Sequence, residues 1–332
     1  MNRLYAATFA ITLLLPGLAA AEDFGAADPR RPIATYSIVA HDPETGEMGV
    51  AVQSHWFSVG SIVSWAEAGV GAVATQSFVE PAYGPRGLDA IRKGTAPEKA
   101  LSDLIARDEN ENVRQVAFVD SKGRIAAHTG DKAIIHACDQ QGEGYSVQAN
   151  LMENDTVCAA MAAAFAASDG DLAEKMMAAL EGAQSTGGDI RGKQSASMIV
   201  VEGERKDNPW EGRVIDLRIE DHAEPIKELR RLMILNRAYN LMNAGDAAVT
   251  EGDMEKANEL YAAAAELAPG NHEMVFWRAV TLAGAGDVEA SLPYFKEAFD
   301  AWPLWRELIP RLPASDILPD DPALIEQILA VE

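Results

Sequence analysis

Basic residues are scarce in this chain. Over 332 residues, 28 Lys and Arg stand against 51 Asp and Glu, a formal charge of −23. A surface of that sign repels phosphate backbones, so a nucleic-acid partner is excluded, and an anionic membrane surface with it. Cysteine is scarcer still, with only Cys138 and Cys158. There is no C-x-x-C and no H-E-x-x-H, and the six histidines are scattered without metal-ligand spacing. Neither a metal nor any other cofactor is expected. Beyond the first 21 residues no stretch approaches the ~18 apolar residues of a membrane span.

What is present reads as globular, with 48% hydrophobic and 24% charged residues. The first 21 residues stand apart. Arg3 supplies a positive start, "AATFAITLLL" a short apolar run, and Ala19 and Ala21 small residues before Glu22. That is the pattern of a secretory signal peptide over 1–21, which implies a periplasmic or secreted protein with a short N-terminal segment at 22–34. In an oxidising compartment Cys138 and Cys158 can pair, or remain as two thiols; spacing alone does not establish contact.

Apolar residues alternate at Thr35–His41, Gly49–His55, Val70–Thr75, Val113–Val119, Arg124–His128, Ala196–Val201 and Arg213–Ile219, which predicts strands. Helical stretches fall near Gly87–Lys93, Pro97–Arg107 (with Thr95 as its cap), Asp155–Ala167 and Asp171–Gln184. Cys138 falls in a polar loop, "HACDQQGEG". Short hairpins make the sheets antiparallel, and grouped strands and helices make the class α+β, a layered sandwich over 35–223. A connecting helix at 224–235 follows. Residues 236–332 are helical with a period of 34: Pro269 maps onto Pro303, Gly252-Asp253 onto Gly286-Asp287, Tyr261 onto Phe295 and Ala264 onto Ala298. This is the period of tetratricopeptide repeats. Two such units bury little by themselves, so they lean on the first domain or on another chain, which leaves a homo-oligomer open.

Thr35 opens the first strand. A turn centred near Thr45 would bring it opposite Ser54 and His55. In a strand, threonine is ordinarily just a β-branched residue. It becomes a nucleophile when a base takes its proton, and a chain beginning at threonine carries that base in its own α-amine, of pKa about 7.7–8.0. Ser37 shares the strand face, and His55 titrates near neutral pH. Gln76 and Ser77 end a strand, Asn150 is a candidate oxyanion donor, and Tyr83 and Arg86 follow a turn. In "STGGDIRGKQS", Asp189, Arg191 and Gln194 can orient a substrate, or Asp189 and Arg191 can simply pair.

The stretch from "TYSIVAHDPETGEMGVAVQSHW" through "EPAYGPRGLDAIRKG", with "GDIRGKQSASMIVV" and "RVIDLRIEDHAEPIKELRRL", closely resembles a bacterial family labelled domain of unknown function 1028. The resemblance covers about Thr35 to Leu235. It implies an Ntn-hydrolase-like fold, a four-layer αββα sandwich of two stacked antiparallel sheets flanked by helices. Here an all-α tetratricopeptide-like domain follows. Members typically begin Met-Thr, so losing the initiator methionine would expose the threonine matching Thr35. The resemblance thus implies an amidohydrolase or peptidase with Thr35 as nucleophile, acting on a small-molecule or peptide amide. The positions that carry Asp and Lys in proteasome-like enzymes are Ala51 and Glu67 here. The competing expectation is a non-catalytic periplasmic binding or scaffold protein that holds a protein partner on the repeats.

Overall fold

Alternation decides which way each strand faces. In the computed structural model, which describes residue 33 and residues 35–332, β1 (Thr35–His41) places Tyr36, Ile38 and Ala40 on one side and Val39 on the other. The expected signal peptide at 1–21, and the 22–34 segment apart from Ile33, lie outside the described residues.

In chain order the elements are β1, β2 (Met48–Ser54), α1 (Gly60–Val63), β3 (Ser64–Glu67), β4 (Gly71–Ser77), α2 (Tyr83–Arg92), α3 (Pro97–Ile105), β5 (Arg114–Asp120), β6 (Ile125–Thr129), β7 (Cys138–Gly142), β8 (Tyr145–Asn150), α4 (Val157–Ala167), α5 (Leu172–Ser185), β9 (Ser195–Val201) and β10 (Arg213–Ile219). Helices α6 (Pro225–Glu251), α7 (Met254–Leu267), α8 (His272–Gly284), α9 (Val288–Ala301), α10 (Trp305–Leu308) and α11 (Pro322–Leu329) complete the chain.

Two antiparallel sheets result, one ordered β10-β9-β2-β1-β8-β7 and the other β3-β4-β5-β6. Val39, Val50, Val52 and Ile199 of the first share a core with Ala72, Ala74, Ala117 and Val119 of the second, so the sheets pack face to face. The outer side of the six-stranded sheet buries Ile38, Ala51 and Met198 against Met161 of α4, Met176 and Leu180 of α5, and Leu229 of α6. The outer side of the four-stranded sheet buries Val73 and Phe118 against Leu88 of α2 and Leu101 of α3. The chain is thus α+β with antiparallel sheets and a C-terminal helical region.

Three local readings need correction. Cys138 lies in β7, an edge strand whose polar sequence hides it, and it is bonded to Cys158 of α4 with a Cα–Cα distance of 6.2 Å. Helix α2 begins at Tyr83, ahead of the expected Gly87, because Pro85 falls in its first turn, where no backbone N–H is required. Thr95 does not cap α3: the N-cap is Ala96, without a side-chain bond.

Helix α6 runs unbroken for 27 residues across the expected 235/236 boundary. Ile226, Leu229 and Met233 belong to the sandwich core, while Ala238 and Met242 belong to a separate core with Tyr261 and Ala264 of α7. Gly252 ends it in the left-handed region (φ 82°), where glycine is free of a Cβ clash. Gly245 admits the Tyr261 ring, since a Cβ there would sit 2.5 Å from Cε1. The expected offset recurs in the element bounds: α7 starts at 254 and ends at 267, α9 at 288 and 301.

Candidate functional site

Thr35 is the first residue of the central strand β1 and is fully buried. It pairs on one side with Ser54 and on the other with Asn150. Its hydroxyl donates to the carbonyl of Ile33 at 2.8 Å. Ile33 in turn bridges Ser77, its N–H reaching the Ser77 carbonyl at 2.7 Å and its carbonyl accepting from the Ser77 N–H at 3.2 Å. The chain entering β1 therefore pairs with the end of β4 directly in front of Thr35.

Around this point the gap between the sheets is lined by amides and hydroxyls. Gln76 Nε2 donates to Gln115 Oε1 at 2.7 Å and lies 3.4 Å from the Thr35 carbonyl. Asn150 Nδ2 donates to the same Gln115 Oε1 at 3.0 Å. Gln115 Nε2 lies within 3.1 Å of Thr129 Oγ1 and of the carbonyls of Cys138 and Ala149. Ser37 Oγ donates to Gln148 Oε1 at 2.9 Å, two residues deeper on the Thr35 face. Three buried acceptor or hydroxyl atoms in this group have no partner among the described residues: Gln76 Oε1, Asn150 Oδ1 and Ser77 Oγ. Buried polar atoms are almost always satisfied, so three orphans together mark a place built for something other than packing. Ser77 also adopts a positive φ of 70°, a rare backbone for a non-glycine residue.

Of the residues expected from sequence, Thr35, Ser37 and Asn150 converge with Gln76 and Ser77. His55 does not join them. The facing pairs sum to 89, so Ser54 rather than His55 stands opposite Thr35, and the His55 side chain is exposed past the strand end. Asp189 and Arg191 form an ion pair at 2.8 Å, and the Asp189 carboxylate also accepts from the backbone N–H of His55 at 3.0 Å and of Arg191 at 2.9 Å. Asp189 is buried and pairs with Met152, so it ties the loop before β9 to the ends of β2 and β8. Its charge acts through Tyr36. Burial first, and then the Asp189 carboxylate, hold the Tyr36 phenol well above its ordinary value, keeping it a neutral donor to Gln184 Oε1 at 3.0 Å.

The remaining candidates serve elsewhere. Gln194 Nε2 reaches Asp221 at 3.1 Å. Tyr83 donates to Asp108 at 3.0 Å, and Arg86 is half-buried on α2. Arg114, fully buried, pairs with Asp108 at 2.7 Å and donates to the Phe78 carbonyl at 2.6 Å, so it anchors the turn that follows Ser77. Ala51 faces the other core, and Glu67 is engaged by Arg92. Among the described residues, no group of three or more His, Cys, Asp or Glu is placed to hold a metal, and no helix is long and apolar enough to cross a membrane.

Gln115 and Gln148 escaped the sequence reading, although a signal existed. Gln115 is a lone amide among the inward-facing Ala117 and Val119, while Gln148 lies with Ser146 and Asn150 on the face opposite the apolar Val147 and Ala149.

In the intact chain Thr35 is not an activated nucleophile. Its hydroxyl proton goes to a carbonyl, which is no base, and its nitrogen is an amide. What the arrangement offers is a hydroxyl beside neutral amides at the entrance of the sandwich.

No curated protein matches the chain. A crystal structure of protein SPO2555 from Silicibacter pomeroyi, assigned to DUF1028, is similar at 31% identity and a TM-score of 0.54, covering 60% of this chain and 84% of that one. A family model described as "Family of unknown function (DUF1028)" matches residues 35–229. With a match over more than half its length, and beginning at Thr35 itself, the chain belongs to the DUF1028 family.

Proposed function

We propose that this chain is the precursor of a secreted amidohydrolase of the Ntn type, whose active form begins at Thr35. One observation carries the reading. Ile33 occupies both the Thr35 hydroxyl and the end of β4, and behind it Gln76 Oε1, Asn150 Oδ1 and Ser77 Oγ are buried without partners among the described residues. Cleavage after Ala34 would release the hydroxyl, uncover the polar cluster and create an α-amine at the head of β1. With pKa about 7.7–8.0, that amine is the base the intact site lacks. General-base help of this kind is worth about 10²–10⁴ in rate. The hydroxyl would attack the carbonyl of a peptide or small-molecule amide, and the amine would take its proton and pass it to the departing amine, leaving an acyl-threonine that water then hydrolyses. The second Nδ2 hydrogen of Asn150 is a donor open to the oxyanion.

The face-to-face sheets with helices on both outer sides support an Ntn-hydrolase-like sandwich. The 34-residue offset of α7 and α9 and the Gly245–Tyr261 contact support a tetratricopeptide-like reading of the helical region. The Cys138–Cys158 bond fits export to an oxidising compartment.

Intact mass of the protein recovered from a bacterial periplasm, with a screen of fluorogenic acyl and peptidyl amides, tests the proposal. A chain starting at Thr35 should be active, Thr35→Ser should retain part of that activity, and Thr35→Ala should stay folded and lose nearly all of it. Full activity in Thr35→Ala would overturn the mechanism. A chain starting at Glu22 that cleaves no amide would replace it with a non-catalytic binding role.

A further inference from the structure

Far from Thr35, one guanidinium stands out in a protein this rich in acid. Arg278, on α8, has no carboxylate partner among the described residues, unlike Arg114, Arg230 or Arg237. Its Cζ lies 4.0 Å from the ring centroid of Tyr294 and 5.1 Å from that of Tyr261, so two aromatic faces hold the planar group between them. A terminal nitrogen, Nη2, donates to Asn258 Oδ1 at 3.0 Å. Nε is buried and has no partner among the described residues. A buried donor of a cation left without an acceptor is costly, and the flanking rings constrain the plane in which it points.

The same residue lines a cavity of about 100 Å³ between α6, α7, α8 and α9. One water-sized group needs roughly 10–15 Å³ of such space, so the cavity takes a small organic group rather than a lone water. Its remaining walls are mainly apolar, including Met242, Ala265, Met274 and Val275. Glu297 stands at the rim, with its side chain exposed.

We propose that this cavity is a binding site for a short aliphatic carboxylate, held side-on by Arg278. The planar acid accepts from Nε and from the second hydrogen of Nη2, the parallel geometry that guanidinium and carboxylate share. The alkyl group fills the methionine-lined space. Two sources carry this chemistry: a free short-chain acid, and the C-terminal valine or leucine of a polypeptide.

Calorimetric titration of the full chain with sodium isovalerate tests the site, with isovaleramide and equal-ionic-strength chloride as controls. Isovalerate should bind saturably and the amide about tenfold more weakly or worse. Arg278→Met should abolish binding. Arg278→Lys, which keeps the charge and stem but not the fork, should weaken it about tenfold, with thermal melts confirming that both variants fold. Glu297→Gln removes a like charge at the rim and should tighten binding a few-fold. A tripeptide ending in a free valine carboxylate distinguishes the sources: affinity equal to or above that of isovalerate assigns a chain end, and much weaker affinity assigns a free acid. No saturable binding of isovalerate, equal affinity for the amide, or unchanged binding in Arg278→Met would overturn the proposal.

Discussion

Replacing Arg114 by methionine should be among the most damaging single changes in the sandwich. Arg114 and Asp108 have side chains 0% and 1% exposed, so neither charge has access to water. The guanidinium reaches Asp108 through Nε at 2.7 Å and Nη2 at 3.3 Å, and the Phe78 carbonyl through Nη1 at 2.6 Å. Methionine fills most of the volume but leaves a buried carboxylate with only Tyr83 and the Asn110 N–H as donors. Breaking a buried pair from one side costs about 3–5 kcal/mol. At roughly 2–4 °C per kcal/mol, the melting midpoint should fall by roughly 6–20 °C. The pH dependence gives a second reading. Burial raises the Asp108 carboxyl, but the hydrogen bonds from Arg114, the Asn110 N–H and Tyr83 outweigh it, so the carboxyl titrates below its ordinary value. Its contribution is therefore fully present above the unfolded pKa of about 3.9 and is lost as pH falls through the folded value. Without Arg114 the buried carboxyl favours its proton, so the deficit of Arg114→Met should shrink on acidification. Adding Asp108→Asn should recover part of the loss at neutral pH. Urea unfolding at several pH values measures all of this. A loss below about 1 kcal/mol, or one that grows toward low pH, would refute the argument.

The Cys138–Cys158 bond closes a separation of 20 residues, so Cys138→Ser with Cys158→Ser should cost about 3 kcal/mol on the chain-entropy model, read by chemical denaturation beside the unreduced protein. Thiol titration of the denatured, unreduced protein should find no free thiol. Gly245→Ala would drive a methyl into the Tyr261 ring and should cost about 1–3 kcal/mol in thermal or urea melts of the full chain, and a neutral result would remove the contact's importance.

Strands whose two faces are both buried, such as β1 and β9, announce themselves because both sides select apolar residues apart from the site itself. β7 does not: Cys-Asp-Gln-Gln-Gly lies at a sheet edge with little to bury, so its pattern is that of a loop. β3 is only four residues long, too short for alternation to show. At the candidate site, Thr35 was legible from its place at the head of a strand. Of the two residues expected opposite Thr35, Ser54 is the one in register, and His55 falls one residue beyond the end of the strand. The Gln115 hub was missed because its meaning depends on Gln76, Asn150, Cys138 and Ala149, which only the stacked sheets bring together.

Helix α6 has one end in each of two cores, and this makes it a keyed shaft. At about 1.5 Å per residue its 27 residues span roughly 40 Å. Met233 is committed to the sandwich and Ala238 to the helical core, with four residues between them and no break in the helix. Each inserted residue in that interval would turn everything downstream by about 100° and advance it by about 1.5 Å. Arg230, ahead of that interval, and Arg237, near its end, both reach Glu174 on α5, and an insertion between Met233 and Arg237 would leave them unable to engage it together. The chain tolerates change in what the helical region carries far more readily than change in the number of residues that lead to it.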